Sequence, residues 1–247
     1  MSELPPAPDK IRIRQIALCA PDIRPVERQV EHFLDITPAH RDKPGPPIWM
    51  YNGVFPVGNS FLEILQPERP DAPTTKFLEK QGGAAGYMLI LQVDDLEKAR
   101  ARVDALNIRI AWDMEVAVRH GVNVGALHLH PSDTRGPLTS LDWVDDWDDW
   151  AWAGAAWKWH RRTDVVSGIS AAEISSVDPN GVAARFAQLL GKEVDDDCSI
   201  ALEETRIRFV KAPDGVRDRL TGIDMTASDR SRVGESYEVA RTIVRLV

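Results

Sequence analysis

An apolar stripe behind an aspartate recurs at a fixed distance along this 247-residue chain, and that repetition limits the fold more than any single element does. After Asp22 come Val26, Val30, Phe33 and Leu34, spaced as one face of a helix. After Asp178 come Val182, Phe186, Leu189 and Leu190, each at an offset of 156. Ile11 to Cys19 reads as a strand before the first helix. Behind that helix lies a Pro-rich loop, Lys43-Pro44-Gly45-Pro46-Pro47, and then residues 48–67 give two or three strands that turn at Gly58-Asn59. The same order returns with a strand from Tyr87 to Val93, an N-cap at Asp94 or Asp95 and a helix burying Leu96, Ala99, Val103 and Leu106. Strands near 109–113, 123–130 and 137–143 follow. A third copy starts near residue 168, its Thr205 to Val210 strand matching Ser60 to Leu65. The fourth is shortened: Leu220 to Thr226 is a strand, the polar run Asp229 to Glu235 leaves little room for a helix, and Tyr237 to Val247 reads as a closing hairpin. The fold class is α+β, with β-α-β-β-β modules in tandem.

A chain of this length can bury an ample core, and its 43% hydrophobic and 28% charged residues are those of an ordinary soluble protein. A formal net charge of −8 argues against nucleic-acid or anionic-membrane partners. No apolar run approaches the ~20 residues that span a bilayer, and Met1-Ser2-Glu3-Leu4-Pro5-Pro6 lacks the pattern of a secretory leader. Cys19 and Cys198 have no motif spacing, which fits a reducing, cytoplasmic setting.

Residues 1–143 are expected to form one two-module domain, 144–167 a connector, and 168–247 a second, degenerate domain. The connector is rich in Trp and Asp, from Asp142-Trp143 through Trp147, Trp150 and Trp152 to Trp157 and Trp159. Its indoles read first as a clamp packed over the seam between repeats. A substrate lid and a dimer contact are the other readings.

Four motifs carry a resemblance. They are Phe55-Pro56-Val57-Gly58-Asn59-Ser60-Phe61-Leu62-Glu63-Ile64-Leu65-Gln66-Pro67, Lys76-Phe77-Leu78-Glu79-Lys80, Val93-Asp94-Asp95-Leu96 and His130-Pro131-Ser132-Asp133-Thr134. Together they resemble the vicinal oxygen chelate superfamily of glyoxalases, bleomycin-resistance proteins and dioxygenases, and within it methylmalonyl-CoA epimerases most closely. The resemblance covers roughly residues 11–143. It implies that the modules curl into cupped mixed sheets. It also implies a divalent metal held by four strand residues, in enzymes that abstract a proton α to a thioester. The resemblance implies a His, a Gln or Glu, a His and a Glu at the four positions, where this chain carries Gln15, Glu63, Met88 and Ser140. One carboxylate, an amide, a thioether and a hydroxyl are a poor set for such a metal, so neither metal nor other cofactor is expected. The third module does no better, with Ala171 and Arg208 at the positions of Gln15 and Glu63.

What remains is a carboxylate on an apolar floor, where desolvation raises its pKa and makes it a usable general base. Glu63 is therefore read as the base, with Gln15 and Ser140 as donors to an oxyanion. Tyr51, Phe61, Tyr87, Met88, His128 and His130 are expected to line the substrate, Tyr87 and Tyr51 being further candidate proton donors. His128 and His130, two apart, would share one face of a strand as a chelating pair, although His130-Pro131 also resembles a family corner in which the His is no ligand. The expected function is a metal-independent lyase or isomerase that moves a proton next to a carbonyl, on an acyl-CoA or related metabolite. The alternative is a binding or drug-sequestering protein with aromatic walls, to which Trp49, Tyr51, Phe61 and the Trp-rich connector would contribute. For Glu63 itself the competing reading is an ion pair with a nearby Arg. A metal-dependent dioxygenase is disfavoured, since its His-His-Glu ligand set is missing. Dimerisation is common in this fold, and the fused second half offers the same coverage within one chain.

Overall fold

A computed structural model describes residues 4–46, 49–213 and 216–247. Met1, Ser2 and Glu3 of the leader reading, Pro47 at the end of the Pro-rich loop and residue 48 of the strand that follows lie outside the described residues. The elements run β1 (Ile11–Cys19), α1 (Ile23–Leu34), β2 (Met50–Val57), β3 (Ser60–Pro67), α2 (Pro73–Gln81), β4 (Ala85–Val93), α3 (Leu96–Ala105), β5 (Ile110–Arg119), β6 (Val122–Leu129), α4 (Pro131–Thr134) and β7 (Leu138–Val144). They continue α5 (Trp157–His160), β8 (Val166–Ser176), α6 (Pro179–Leu190), β9 (Ser199–Ala201), β10 (Arg206–Lys211), β11 (Arg219–Ala227), β12 (Ser236–Val239) and β13 (Thr242–Leu246). The fold is α+β with two mixed sheets. The fourth module has only a 3-10 turn, Arg230–Arg232, where the others have a helix.

The chain divides into two compact units, and each takes one module from either half. The first comprises Met1–Arg14, Met88–Ala151 and Ala171–Leu220; the second comprises Gln15–Tyr87, Trp152–Ser170 and Thr221–Val247.

In the second unit the strand order is β2-β3-β1 in one sheet and β12-β13-β11 in the other. Asp22 caps α1, its carboxylate accepting from Arg24 N at 3.0 Å. The helix buries Val26, Val30 and Leu34, the face read from the repeat. Phe33 stacks on Tyr237 of β12 at 4.1 Å, and Arg232 donates to Phe33 O and to the Tyr237 hydroxyl. The β2–β3 hairpin turns at Gly58, whose φ is +60°. A Cβ there would stand 1.6 Å from Ser167 O, so only glycine fits. Alternation along β3 sends Leu62 and Ile64 to one face and Phe61, Glu63 and Leu65 to the other.

In the first unit the orders are β4-β7-β6-β5 and β8-β10-β9. Asp95 caps α3 and Asp178 caps α6, accepting from Lys98 N and Gly181 N. The two helices meet through Arg102, which donates to Gln188 O at 2.6 Å, and Arg185, which donates to Leu106 O at 3.3 Å. Leu106 was expected on the buried face of α3, but the helix stops at Ala105. Leu106 therefore becomes its C-cap, half-buried, and the stem of Arg102 fills the face instead. Phe186 of α6 packs on Phe209 of β10 at 5.4 Å.

The tryptophans of the 142–159 stretch have separate fates. The guanidinium of Arg12 lies 4.4 Å over Trp147 and donates to Gln92 Oε1 at 3.0 Å and to Trp147 O. Trp150 is fully buried, 5.6 Å from the guanidinium of Arg14. Trp157, in the second unit, is also fully buried, whereas Trp159 is 91% exposed.

Candidate active site

Glu63 lies in the middle of β3, and both strands beside it aim polar side chains at its carboxylate. Parallel pairing sets Ala17 of β1 opposite Glu63, so Gln15, two residues earlier, projects from the same face. Antiparallel pairing sets Val54 of β2 opposite Glu63, which places Asn52 diagonally on that face. Gln15 Nε2 donates to Glu63 Oε2 at 2.8 Å, and Asn52 Nδ2 donates to Oε1 at 2.8 Å. The competing reading of Glu63 as an ion-pair partner gives way to this amide clamp.

The Glu63 side chain is buried. Desolvation raises its pKa from 4.5 to about 7, outweighing the two amide hydrogen bonds, which favour the charged form. Asp42 adds to the rise and His40 opposes it. Asn52 has one way to turn its amide: Asp42 N donates to its Oδ1 at 2.7 Å, so the NH₂ must face the carboxylates of Glu63 and Asp42, the latter at 2.9 Å. His40 Nε2 lies 3.1 Å from Asp42 Oδ1.

Two more ionisable groups feel the charge of Glu63. Cys19, buried on β1, has its thiol pushed up to about 12, by desolvation first and Glu63 second. The phenol of Tyr87 is held above its usual range by desolvation, with Cys19 and Glu63 adding to it. Its ring meets Phe77 of α2 edge-on at 4.8 Å. At neutral pH both groups keep their protons.

Phe61 shares the face of Glu63, but its ring is fully buried and packs edge-on against the equally buried Trp157 at 5.0 Å. It is core rather than an open wall. Tyr51 alternates away from Asn52 and is 43% exposed, so the structure does not bring it to Glu63.

Met88, Ser140, His128 and His130 belong to the first unit. Met88 is buried on β4. Ser140, on β7, donates a hydrogen bond from its hydroxyl to Asp142 Oδ1, so donation to a substrate would require it to leave that partner. His128 faces Ser140 across the β6–β7 register and meets Trp112 edge-on at 4.7 Å. Burial pushes its imidazole down to about 4 and keeps it neutral. His130 was expected on the strand of His128, but β6 ends at Leu129. Pro131 opens α4, and His130 is its N-cap, Nδ1 accepting from Ser132 N at 3.2 Å. Arg208, the third-module counterpart of Glu63, pairs with Glu173 at 3.4 Å.

The residues at the resembled family's metal positions do not fit a divalent ion. Asn52 cannot offer its carbonyl oxygen without losing the Asp42 N–H, so a donor hydrogen points at the carboxylate that a cation would need. Among the described residues, no group of three or more His, Cys, Asp and Glu side chains is placed to hold a metal.

Asn52, Asp42 and His40 were missed by sequence reasoning. Asn52 had a signal: the Gly58-Asn59 turn fixes the hairpin register, and that register puts Asn52 beside Glu63. Asp42 and His40 had none, because they come from an irregular segment.

No family model matches the chain. The mitochondrial methylmalonyl-CoA epimerase of Bos taurus is 29% identical over 133 residues, 53% of this chain and 73% of the relative. An ethylmalonyl-CoA/methylmalonyl-CoA epimerase of Cereibacter sphaeroides is 28% identical over 135 residues, 54% of this chain and 98% of the relative. Among solved structures, a hypothetical protein from Staphylococcus aureus superimposes with a TM-score of 0.70 at 10% identity, over 96% of this chain and 99% of its own. That likeness shows the fold across both halves. No described helix is long and apolar enough to cross a membrane. About half the length of the chain is similar to methylmalonyl-CoA epimerases, and its resemblance to the vicinal oxygen chelate superfamily rests on that half.

Proposed function

We propose that this protein is a small-molecule isomerase that moves a proton next to a carbonyl without a metal, with Glu63 as the base. The supporting observation is the buried Glu63 carboxylate, clamped by Gln15 and Asn52 and poised near neutral pH. A general base works best when its pKa lies near the operating pH. The Glu63 carboxylate takes the proton from the carbon α to a thioester or related carbonyl, and electron density moves to the carbonyl oxygen. Tyr87, protonated at neutral pH, is assigned as hydrogen-bond donor to that oxygen and keeps its proton; the planar enolate carbon then turns its other face to Glu63 and takes the proton back there, which inverts the centre. Gln15 holds the base. The substrate class is an acyl-CoA, by likeness to the epimerases. A reducing compartment suits the free thiols of Cys19 and Cys198.

The sequestering alternative has less support, because the Phe61 and Trp157 rings that would form an aromatic wall are buried in the core. Exchange of the α-proton of methylmalonyl-CoA and ethylmalonyl-CoA in D₂O, followed by NMR in the presence of a chelator, tests the proposal. Exchange that persists in chelator and falls roughly 100-fold or more in Glu63→Gln is expected. Ligand affinity without exchange would favour sequestration, and exchange only after addition of Co²⁺ or Ni²⁺ would overturn the metal-free mechanism.

A further inference from the structure

We propose that Asn52 is a positioning residue for Glu63: backed by Asp42, it fixes Oε1 of the base as Gln15 fixes Oε2. The proposal rests on Glu63 acting as the base. One amide bridges two carboxylates, with one N–H to Glu63 Oε1 at 2.8 Å and the other to Asp42 Oδ2 at 2.9 Å. Its oxygen is pinned by Asp42 N at 2.7 Å. Every hydrogen-bonding group of the amide is therefore assigned, and its orientation follows from geometry.

The segment behind it is itself tied down. Ala39 N donates to Val54 O at 2.8 Å and Val54 N donates to His40 O at 3.0 Å. Arg41 donates to Asn52 O at 3.2 Å and grips both oxygens of Glu27 at 2.6 and 2.9 Å. Asp42 thus stands beside a backbone bridge and an ion pair that anchor its segment. Among the described residues, the charged and titratable groups that act on Glu63 or feel its charge include Asp42 and His40 from this segment, Cys19 from β1 and Tyr87 from β4. The Arg41–Glu27 pair lies beyond Gly53 and is internally neutralised.

Two consequences follow. The clamp selects one rotamer of Glu63, so the base meets its substrate in a fixed direction. The clamp also sets the ionisation of Glu63 through two opposing effects: the Asn52 N–H stabilises the carboxylate, and the Asp42 charge behind it destabilises it.

The test is an NMR titration of ¹³C-labelled glutamate carboxyls in the wild-type protein, Asn52→Leu and Asp42→Asn, with α-proton exchange measured on the same samples. Asn52→Leu should raise the Glu63 midpoint and Asp42→Asn should lower it. Exchange in Asn52→Leu should fall roughly 10- to 100-fold, mainly in kcat, since a misdirected base costs rate more than affinity. Its pH profile should move with the midpoint. Shifts of opposite sign are not what a loss of packing produces. An unchanged midpoint in folded Asn52→Leu overturns the proposal. Should Asn52→Leu fail to fold, the exposed Asp42→Asn decides: a lowered midpoint supports the clamp, and an unchanged one overturns it. Opposite shifts in a protein with no exchange activity would leave the clamp standing and remove the isomerase reading instead.

Discussion

Glu63→Gln should change how stability depends on pH more than it changes stability itself. In the folded protein Glu63 titrates near 7, whereas its unfolded value is near 4.5. Between those values the folded chain holds a proton that the unfolded chain has released, so stability declines as pH rises. The stability attached to the protonated form is complete below about 4.5 and gone above about 7. A separation of this size corresponds to about 3 kcal/mol, at 1.36 kcal/mol per pKa unit. Glutamine cannot ionise, so the variant should lack this part of the slope. The local geometry accommodates it: Asn52 keeps donating to the new amide oxygen, and Gln15 turns its own oxygen toward the new NH₂. Urea melts of both proteins at half-unit steps from pH 4.5 to 8.5 supply the comparison. The variant should match the wild type near pH 5 and exceed it by about 2 to 3 kcal/mol at pH 8. Parallel curves across the range would mean that Glu63 ionises in the fold as it does in water, and the argument for a poised base would fail with it.

Gly53→Ala should destabilise the protein by about 2 to 3 kcal/mol, because the new Cβ would stand 2.1 Å from Glu27 Oε1 and 3.1 Å from Arg41 Nη1, forcing apart a partly buried ion pair; a thermal melt with an unshifted Tm refutes it. Trp157→Ala should cost about 3 to 5 kcal/mol, since it empties a fully buried site against Phe61, and urea denaturation reads that loss. Arg12→Lys should not restore wild-type stability although it keeps the charge, because an ammonium cannot both lie flat over Trp147 and reach Gln92; chemical denaturation should show a loss of about 1 to 3 kcal/mol. At pH 8 iodoacetamide should leave Cys19 unmodified in the folded protein and modify it in urea, as mass spectrometry of peptides will show, because its buried thiol is held near 12.

The modules were legible because they repeat and because each helix begins at an aspartate whose side chain has a definite task. Asp22, Asp95 and Asp178 all cap where the pattern placed them. Helix α2 was not read, although Lys76 to Lys80 was noted as a motif. It buries only Thr74 and Leu78, too few positions to display a period. The misplacement of His130 has a different origin. A proline after the last strand residue withdraws the next ladder donor, and the same proline is the preferred first residue of a helix. Histidine before it becomes a cap, not a strand residue, and two histidines that alternate correctly in sequence end on different elements.

The sequence placed Glu63 and Gln15 on one floor but read Gln15 as an oxyanion donor; that it donates to Glu63 instead follows from the parallel β1–β3 register, and the remaining contacts needed the hairpin register and an irregular bridge. That difference bears on the chemistry proposed for the site. A divalent cation and an amide clamp make opposite demands on one carboxylate. The cation takes its lone pairs and drives its pKa far below neutrality. The clamp supplies N–H donors, accepts the cost of burial and leaves the pKa near 7. In the proposed reading, the amide at position 15 and the asparagine at 52 belong together: Gln15 removes an imidazole ligand, and Asn52, locked by Asp42, keeps a hydrogen where the metal would have to sit. Replacing Gln15 alone by His should therefore not recover metal binding. The Asn52 N–H still faces the carboxylate in Gln15→His, and thermal-shift titration with Co²⁺ or Ni²⁺ should show no stabilisation. A Tm rising with metal in that single variant would show that the carboxylate is free to turn, and that the clamp does not hold it.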